Sequence, residues 1–587
     1  MSPKEFYQQQ RSLQQAQLTA LQKQVKQLSS FRLLIGIIIL IMGYLVLSEK
    51  IEQWWVILIA IAGFLVVVRK HNALKDEEAK VDLYGVILQH ELSALEGNYS
   101  NFKDGGEFTD TKHPFTFDLD FYGKRSIYQM LCRAATKNGE QALADLLGNP
   151  YADSSMVENR QVVVQDLAKK PEFLLSFRVA GAAYREGDKD VQKIREWLMM
   201  EDRFINSALI RVLVVLIPIL SFGAGVLSII YEGVYPLLLL IVVFNWLFLR
   251  AKAQPIKEAS YYVAKSAELI TKYEALTGEV AQESFSTSAW KEHAIAALAA
   301  IRKLKKLAHL FESRYNGMVG PLMNSFFLFD IQCGVKLERW RKLHREEVLQ
   351  GLTDVTEIDS YVSLATFAYN HPQYNYPVLN SNRFFSAVNI AHPLLEKTAV
   401  GNSFSLGQHE QFYLLTGANM TGKSTFIRTI GVNLVLAYTG VPLRGEQIQV
   451  PLTRLYTAMR ITDSVQDDVS YFRAELIRIH DMMQEVQHSE QPHLILLDEP
   501  LRGTNTTDKQ NGTRSIIEKF VRLSAIGIVA THDTVLCNLE EQQAGRVANY
   551  HFESTIDGNE LKFDYQLKKG CSTSNNATIL MRQMGIV

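Results

Sequence analysis

YLLTGANMTGKST, residues 413–425, decides the fold of this chain. The apolar start, Tyr413 to Leu415, predicts a buried strand. Gly417 breaks it, and Gly422-Lys423-Ser424 opens a predicted helix. This is the pattern G-x-x-x-x-G-K-[ST] in the strand–loop–helix context it requires. The glycines let the backbone curl so that successive N–H groups point inward at phosphate oxygens, beside the positive end of the helix. Lys423 can reach the β and γ phosphates of a nucleoside triphosphate, and the Ser424 hydroxyl can ligate Mg²⁺. Gly417, Asn419, Met420, Gly422, Lys423, Ser424 and Thr425 are therefore the expected nucleotide-binding residues.

Three stretches downstream fit the same chemistry. Residues 494–497 predict an apolar strand ending in Asp498-Glu499. Asp498 is placed to hold Mg²⁺ through water, and Glu499 to orient or deprotonate an attacking water. Residues 526–530 predict another strand, ending in Thr531-His532-Asp533. His532 falls at the carboxyl end of a parallel strand, where ligands collect in α/β sheets, and is expected to sense the γ-phosphate. Ser470 opens the predicted helix of SYFRAE, residues 470–475. Physics alone reads it as a helix cap, although a helix N-terminus can also meet a phosphate.

The 587 residues allow roughly four domains, and the net charge of −1 announces no overall basic field. The four cysteines, Cys132, Cys333, Cys537 and Cys571, lack C-x-x-C spacing, which argues against a zinc site or a disulfide framework and fits a reducing compartment. Residues 1–30 are Gln- and Lys-rich, with Leu18, Leu21, Val25 and Leu28 along one face: an amphipathic helix with one short coiled-coil-like seam. Apolar runs at 33–47 and 54–68 follow. Lys23, Lys26 and Arg32 precede the pair and Arg69 and Lys70 end it, predicting a transmembrane hairpin with both ends cytoplasmic. A second hairpin is expected from 212–230 and 236–249, flanked by Arg211, Arg250 and Lys252, with Pro218 inside. No charge lies within these spans to mark a transport pathway.

GANMTGKST, SYFRAE, LLDEPLRGTNTTD and VATHD resemble, in order and context, the ATPase domain of the MutS mismatch-repair family. VANYHFES and GCSTSNNATILMRQMGI resemble its closing strands and turn. FDLDFYGKRSIYQML, NGEQALADLLGNP and NRQVVVQDL resemble its helical core, as do residues 358–365. The resemblance implies an α/β P-loop ATPase domain, of the kind shared with ABC ATPases, on an all-α core. It further implies Mg²⁺-dependent ATP hydrolysis in a homodimer with composite sites. Ser470 would then reach the γ-phosphate held by the other subunit, and residues 504–508 would line the dimer interface.

The expected organisation is an N-terminal helix (1–30), a hairpin (31–70), core (71–205), a second hairpin (206–252), more core (253–390) and the ATPase domain (391–587). The whole is a multi-pass membrane protein with its ATPase domain and both termini in the cytoplasm. Several features depart from the family. No mismatch-reading domain is recognisable, and the second hairpin falls where the levers and DNA clamp would be. Asp498-Glu499-Pro500 is closer to the ABC form, Asp467-Asp468-Val469 replaces a Gly-containing signature, and the aromatic expected near Ala399 is absent. Two purposes remain open. One is binding of mismatched or branched DNA, in DNA mismatch repair. The other is mechanochemical work at the membrane without DNA recognition.

Overall fold

A computed structural model describes the chain except at residues 49–54, 152, 188, 232, 234, 253, 255–261, 263–265, 287–288, 313–318, 396–398, 461–470, 558–559 and 573–587. The chain forms two units from interleaved segments. One comprises Met1–Leu92, Ala134–Gly139 and Glu172–Asp359; the other comprises Ser93–Arg133, Glu140–Pro171 and Ser360–Val587.

Among the described residues, the first unit contains helices and no strand. Ser2 and Glu5 form a capping box that starts the helix Pro3–Leu47. That helix runs unbroken from the polar N-terminal stretch through the first apolar run. Helix Trp55–Ala94 returns antiparallel to it: Gly36 faces the Phe64 ring, and Arg32 lies 3.5 Å from His71. Leu21, from the N-terminal seam, is buried within this single chain. The other apolar pair is Ala208–Ile230, with Pro218 inside, and Tyr235–Ala251. By length and composition, Pro3–Leu47, Trp55–Ala94 and Ala208–Ile230 can cross a membrane, while Tyr235–Ala251 is shorter.

Sequence reading assigns residues 319–327 to the soluble core. The structure instead packs helix Val319–Phe327 onto the second apolar pair. The wholly buried Asn245 donates to the Ser325 carbonyl at 2.8 Å, and the Trp246 indole donates to Ser325 Oγ at 3.0 Å. These bonds satisfy two N–H donors that would be costly to leave unpaired in an apolar setting. Elsewhere in the unit, Asp359 is fully buried and accepts from Ala135 N, Thr136 N and Thr136 Oγ1 at 2.7–2.8 Å. Burial nevertheless pushes its pKa up to about 6. Gly139 is required there, because an added Cβ would overlap the Asp359 carboxylate.

The second unit carries the strands: β1 (Val378–Asn380), β2 (Phe385–Ile390), β3 (Asn402–Leu406), β4 (Phe412–Thr416), β5 (Glu446–Pro451), β6 (Arg454–Ala458), β7 (His493–Asp498), β8 (Ile526–Ala530), β9 (Val547–His551), β10 (Ser554–Asp557), β11 (Glu560–Phe563) and β12 (Lys568–Lys569). Four form a sheet in the order β1-β5-β2-β3, and β10 and β11 pair as a ribbon. The main sheet runs β12-β9-β4-β8-β7-β6, parallel from β9 to β6. Every residue of β4, β7 and β8 is buried. That is why these strands read as unbroken apolar runs rather than alternating ones: helices cover both faces of a parallel sheet. Phe412, Leu414, Ile495, Leu497, Ile517, Phe520 and Val529 belong to one core cluster.

The cysteine expectation needs one correction. Cys537 and Cys571 are joined in a disulfide, with Cα atoms 6.3 Å apart. They stand 34 residues apart in sequence, so spacing hides a proximity that β9 and the return through β12 create.

Candidate functional site

The parallel register builds the site. Leu415 on β4 and Asp498 on β7 both pair with Ala530 on the intervening β8. The chain leaving each strand therefore emerges at one edge, bringing the 417–422 loop, Asp498-Glu499 and Thr531-His532 together. Gly417 has φ 143° and Gly422 has φ 109°, both in the region that favours glycine. At Gly417 a Cβ would also stand 2.6 Å from the Phe552 carbonyl. Met420, at φ 67°, completes the curl and points outward, 69% exposed. Thr421 Oγ1 closes the loop from inside by donating to the Ala418 carbonyl at 2.9 Å.

Gly422 is the N-cap of helix Lys423–Thr439. The Lys423 ammonium turns back into the loop and donates to the Gly417 and Ala418 carbonyls at 2.7 and 2.8 Å. Burial lowers its pKa to about 8, against the opposing pull of Glu499 and Asp498. Ser424 Oγ donates to Asp498 Oδ2 at 2.6 Å. Among the described residues no cluster of three or more His, Cys, Asp or Glu could hold a metal by itself. One hydroxyl and one carboxylate do fit Mg²⁺, which keeps several waters and shares itself with phosphate oxygens.

Glu499 sits at φ 51°, with its N–H bonded to the Ala530 carbonyl at 2.9 Å. Its carboxylate contacts His532 Nε2 closely and lies 3.3 Å from Arg502 Nε. The His532 hydrogen bond, with help from the charges of His532 and Arg502, pulls the Glu499 pKa down to about 2. The other ring nitrogen of His532 lies 2.8 Å from the Gly417 carbonyl, so the imidazole bridges the 417–422 loop and Glu499.

A cleft of about 430 Å³ opens beside these groups. Asn419, Met420, Gly422, Lys423, Ser424, Thr425, Glu499 and His532 line it on one side. Ile390, His392, Leu395, Val400 and Phe426 form an apolar wall. Gly417 forms the back of the loop and Asp498 reaches the cleft through Ser424. Ser470 lies outside the described residues.

Sequence reading missed four contributors. Tyr565 lines the cleft, its ring 3.2 Å from where a Gly422 Cβ would stand. It supplies an aromatic face although Ala399, also in the lining, does not. Asn402 pins it, donating to the Tyr565 carbonyl at 3.0 Å and accepting from Leu567 N at 2.7 Å. His392 also faces the cleft; burial, with Arg428 nearby, pushes its pKa down to about 4. Buried Glu475, within SYFRAE, accepts from Leu501 N at 2.7 Å and so fixes the turn just after Glu499. Aromatic content before β12 was the only sequence signal for Tyr565, and it carries no position by itself.

Residues 413–585 match the family model described as MutS domain V. That stretch of the chain is therefore similar to a domain of the MutS family. It is 32% identical over 206 residues to the DNA mismatch repair protein MutS of Thermotoga maritima, a match covering 34% of this chain and 25% of that one. It is 31% identical over 249 residues to the DNA mismatch repair protein MutS of Aquifex pyrophilus, covering 40% and 28%. The chain thus spans about a quarter of the length of the MutS relatives it matches.

Proposed function

We propose that this MutS-like chain is a membrane-anchored, Mg²⁺-dependent ATPase of P-loop type. One observation carries the ATPase part: Lys423, the Ser424–Asp498 pair and the Glu499–His532 pair converge at the carboxyl ends of three neighbouring parallel strands; the membrane anchor rests on the length and composition of the apolar helices. Lys423 exchanges its two loop carbonyls for β- and γ-phosphate oxygens, with Asn419 and the loop amides completing the cradle. Ser424 and Asp498 hold Mg²⁺, which neutralises charge developing on the phosphates. Tyr565 and the apolar wall take the base. Glu499 orients the attacking water. With its pKa near 2 while paired to His532, it is a weak proton acceptor in this arrangement. His532 links the γ-phosphate position to that water. Ser470 completes the site across a homodimer, so ATP binding closes the dimer and hydrolysis opens it.

The names of the relatives, DNA mismatch repair proteins, support mismatched DNA as the partner. A second reading is favoured by the apolar helices of the first unit: an ATPase that performs mechanical work at a membrane and does not recognise DNA. The deciding experiment is ATP hydrolysis by the detergent-purified chain with homoduplex, mismatched or branched DNA, and Glu499→Ala as the blank. Stimulation selective for one DNA structure, weakening steeply with salt, supports the repair reading. Glu499-dependent turnover indifferent to every DNA refutes it and leaves the membrane reading.

A further inference from the structure

Within the first unit, the start of helix Phe329–Asn370 is fastened to the ends of the second apolar pair. Leu328, Ile331, Cys333 and Val335 share one buried cluster with Phe204, Ile210, Ile217 and Leu249. The fit is close, since a Cβ on Gly334 would stand 2.9 Å from the Phe204 ring. One turn further on, buried Glu338 accepts from the backbone N–H groups of Arg203, Phe204 and Ile205 at 2.7–2.9 Å. Buried Arg341 donates to the Trp197 carbonyl at 3.2 Å and to Asp202 at 2.6 Å. Residues 331–341 therefore clasp the chain that leads into helix Ala208–Ile230 and pack on the end of helix Tyr235–Ala251.

The outer face of the same turns is basic. Lys336, Arg339 and Lys342 each follow one of the inward residues Val335, Glu338 and Arg341, and each is exposed. Arg211 and Arg250, at the two ends of the apolar pair, are exposed as well. Among the described residues, none of these five side chains is engaged in an ion pair. Glu338 and Asp202 are occupied by the bonds just described. Glu201, beside Asp202, and Glu346, one turn past Lys342, are the exposed carboxylates of these two stretches.

We propose that Lys336, Arg339 and Lys342, with Arg211 and Arg250, form a collar that binds the phosphate groups of anionic phospholipids around the second apolar pair. This rests on the membrane-anchored reading above. Charge complementarity selects the partner: basic groups just beyond the end of a membrane helix meet the negative surface of the bilayer, each worth roughly fivefold in partitioning. The Glu338 and Arg341 bonds hold the three helix residues at that level. Nucleic-acid phosphates carry the same charge, but continuity of this face with the apolar pair favours lipid.

The test reconstitutes the full-length chain into phosphatidylcholine bilayers. Electron spin resonance then reads how tightly spin-labelled phosphatidylglycerol and phosphatidylcholine are held at the protein. Wild type should prefer phosphatidylglycerol about tenfold at low salt, and within about twofold at about 1 M salt, where charges are screened. Lys336→Gln, Arg339→Gln and Lys342→Gln together should cut the low-salt preference to about twofold, with melting temperature close to wild type. Lys336→Arg, Arg339→Lys and Lys342→Arg together should keep it. A wild type that holds both lipids alike overturns the proposal, as does a preference that survives the triple Gln change. Loss of preference in the charge-preserving variant marks packing rather than charge and also overturns it. So does a triple Gln variant that loses salt-sensitive binding of duplex DNA while keeping its lipid preference, which assigns the face to nucleic acid. A chain that fails to float with neutral phosphatidylcholine vesicles defeats the anchoring reading and this proposal with it. A chain that floats but ignores headgroup charge defeats this proposal alone.

Discussion

On the proposed ATPase reading, the Lys423 ammonium would make ATP binding a proton-linked event. Lys423 is only 6% exposed, and burial holds its pKa at about 8 rather than the ordinary 10.5. Phosphate oxygens beside it favour the charged form and return the pKa towards or above its ordinary value. Below about pH 8 the free protein already carries the proton, so affinity is flat. Above it, binding must take the proton up, and the apparent dissociation constant grows by a factor of 1 plus 10 to the power (pH − 8). That is about tenfold at pH 9 and about thirtyfold at pH 9.5. The sign for folding follows from the same shift. Between about 8 and 10.5 the unfolded chain binds more protons at this lysine, so this residue's contribution to stability rises with pH across that window. Calorimetric titration in two buffers of different ionisation enthalpy measures both affinity and proton uptake. Uptake should be near zero at pH 7, about half a proton at pH 8 and about nine-tenths at pH 9. Lys423→Arg, permanently charged, should abolish this uptake. A constant affinity from pH 7 to 9.5 with no proton uptake would refute the reasoning.

Other consequences are equally direct. Glu499→Gln should retain ATP yet slow phosphate release by about a hundredfold or more, read as nucleotide retained after gel filtration against phosphate produced. Tyr565→Ala should weaken ATP binding about three- to tenfold with little change in kcat, the loss of one aromatic face; an unaltered dissociation constant removes Tyr565 from the base site. Gly527→Ala should destabilise by about 3 kcal/mol, since the new Cβ would meet the Phe412 ring at 2.5 Å and overlap the Ile495 carbonyl. Denaturant unfolding of the second unit should register this as a lower midpoint.

What the sequence made legible was local. A fully buried parallel strand writes itself as an apolar run, and a phosphate loop needs glycines at fixed spacing, so β4, β7, β8 and the loop between them could be placed in advance. Their register, which brings His532 beside Glu499, follows from the sheet order and is not written in either residue's neighbours. The same limit hides Tyr565, carried to the cleft by the turn after β11, and the pairing of Cys537 with Cys571. Asp118 is the sharpest case. FDLDF reads as an ordinary acidic and apolar alternation, yet it places a buried carboxylate more than 300 residues upstream of its donors. In the first unit, hydropathy marked the long apolar helices. It could not mark Val319–Phe327 as a companion of the second pair, because a short, partly apolar helix reads alike in a soluble core and beside an apolar hairpin.

Phosphate release by the full-length chain in detergent, with Mg²⁺ or with chelator, and with Lys423→Ala and Glu499→Ala alongside, tests the proposed chemistry at its root. ATP turnover that requires Mg²⁺, Lys423 and Glu499 together is the expected result. Turnover that survives either substitution, or a wild type that neither binds nor cleaves ATP, would contradict it.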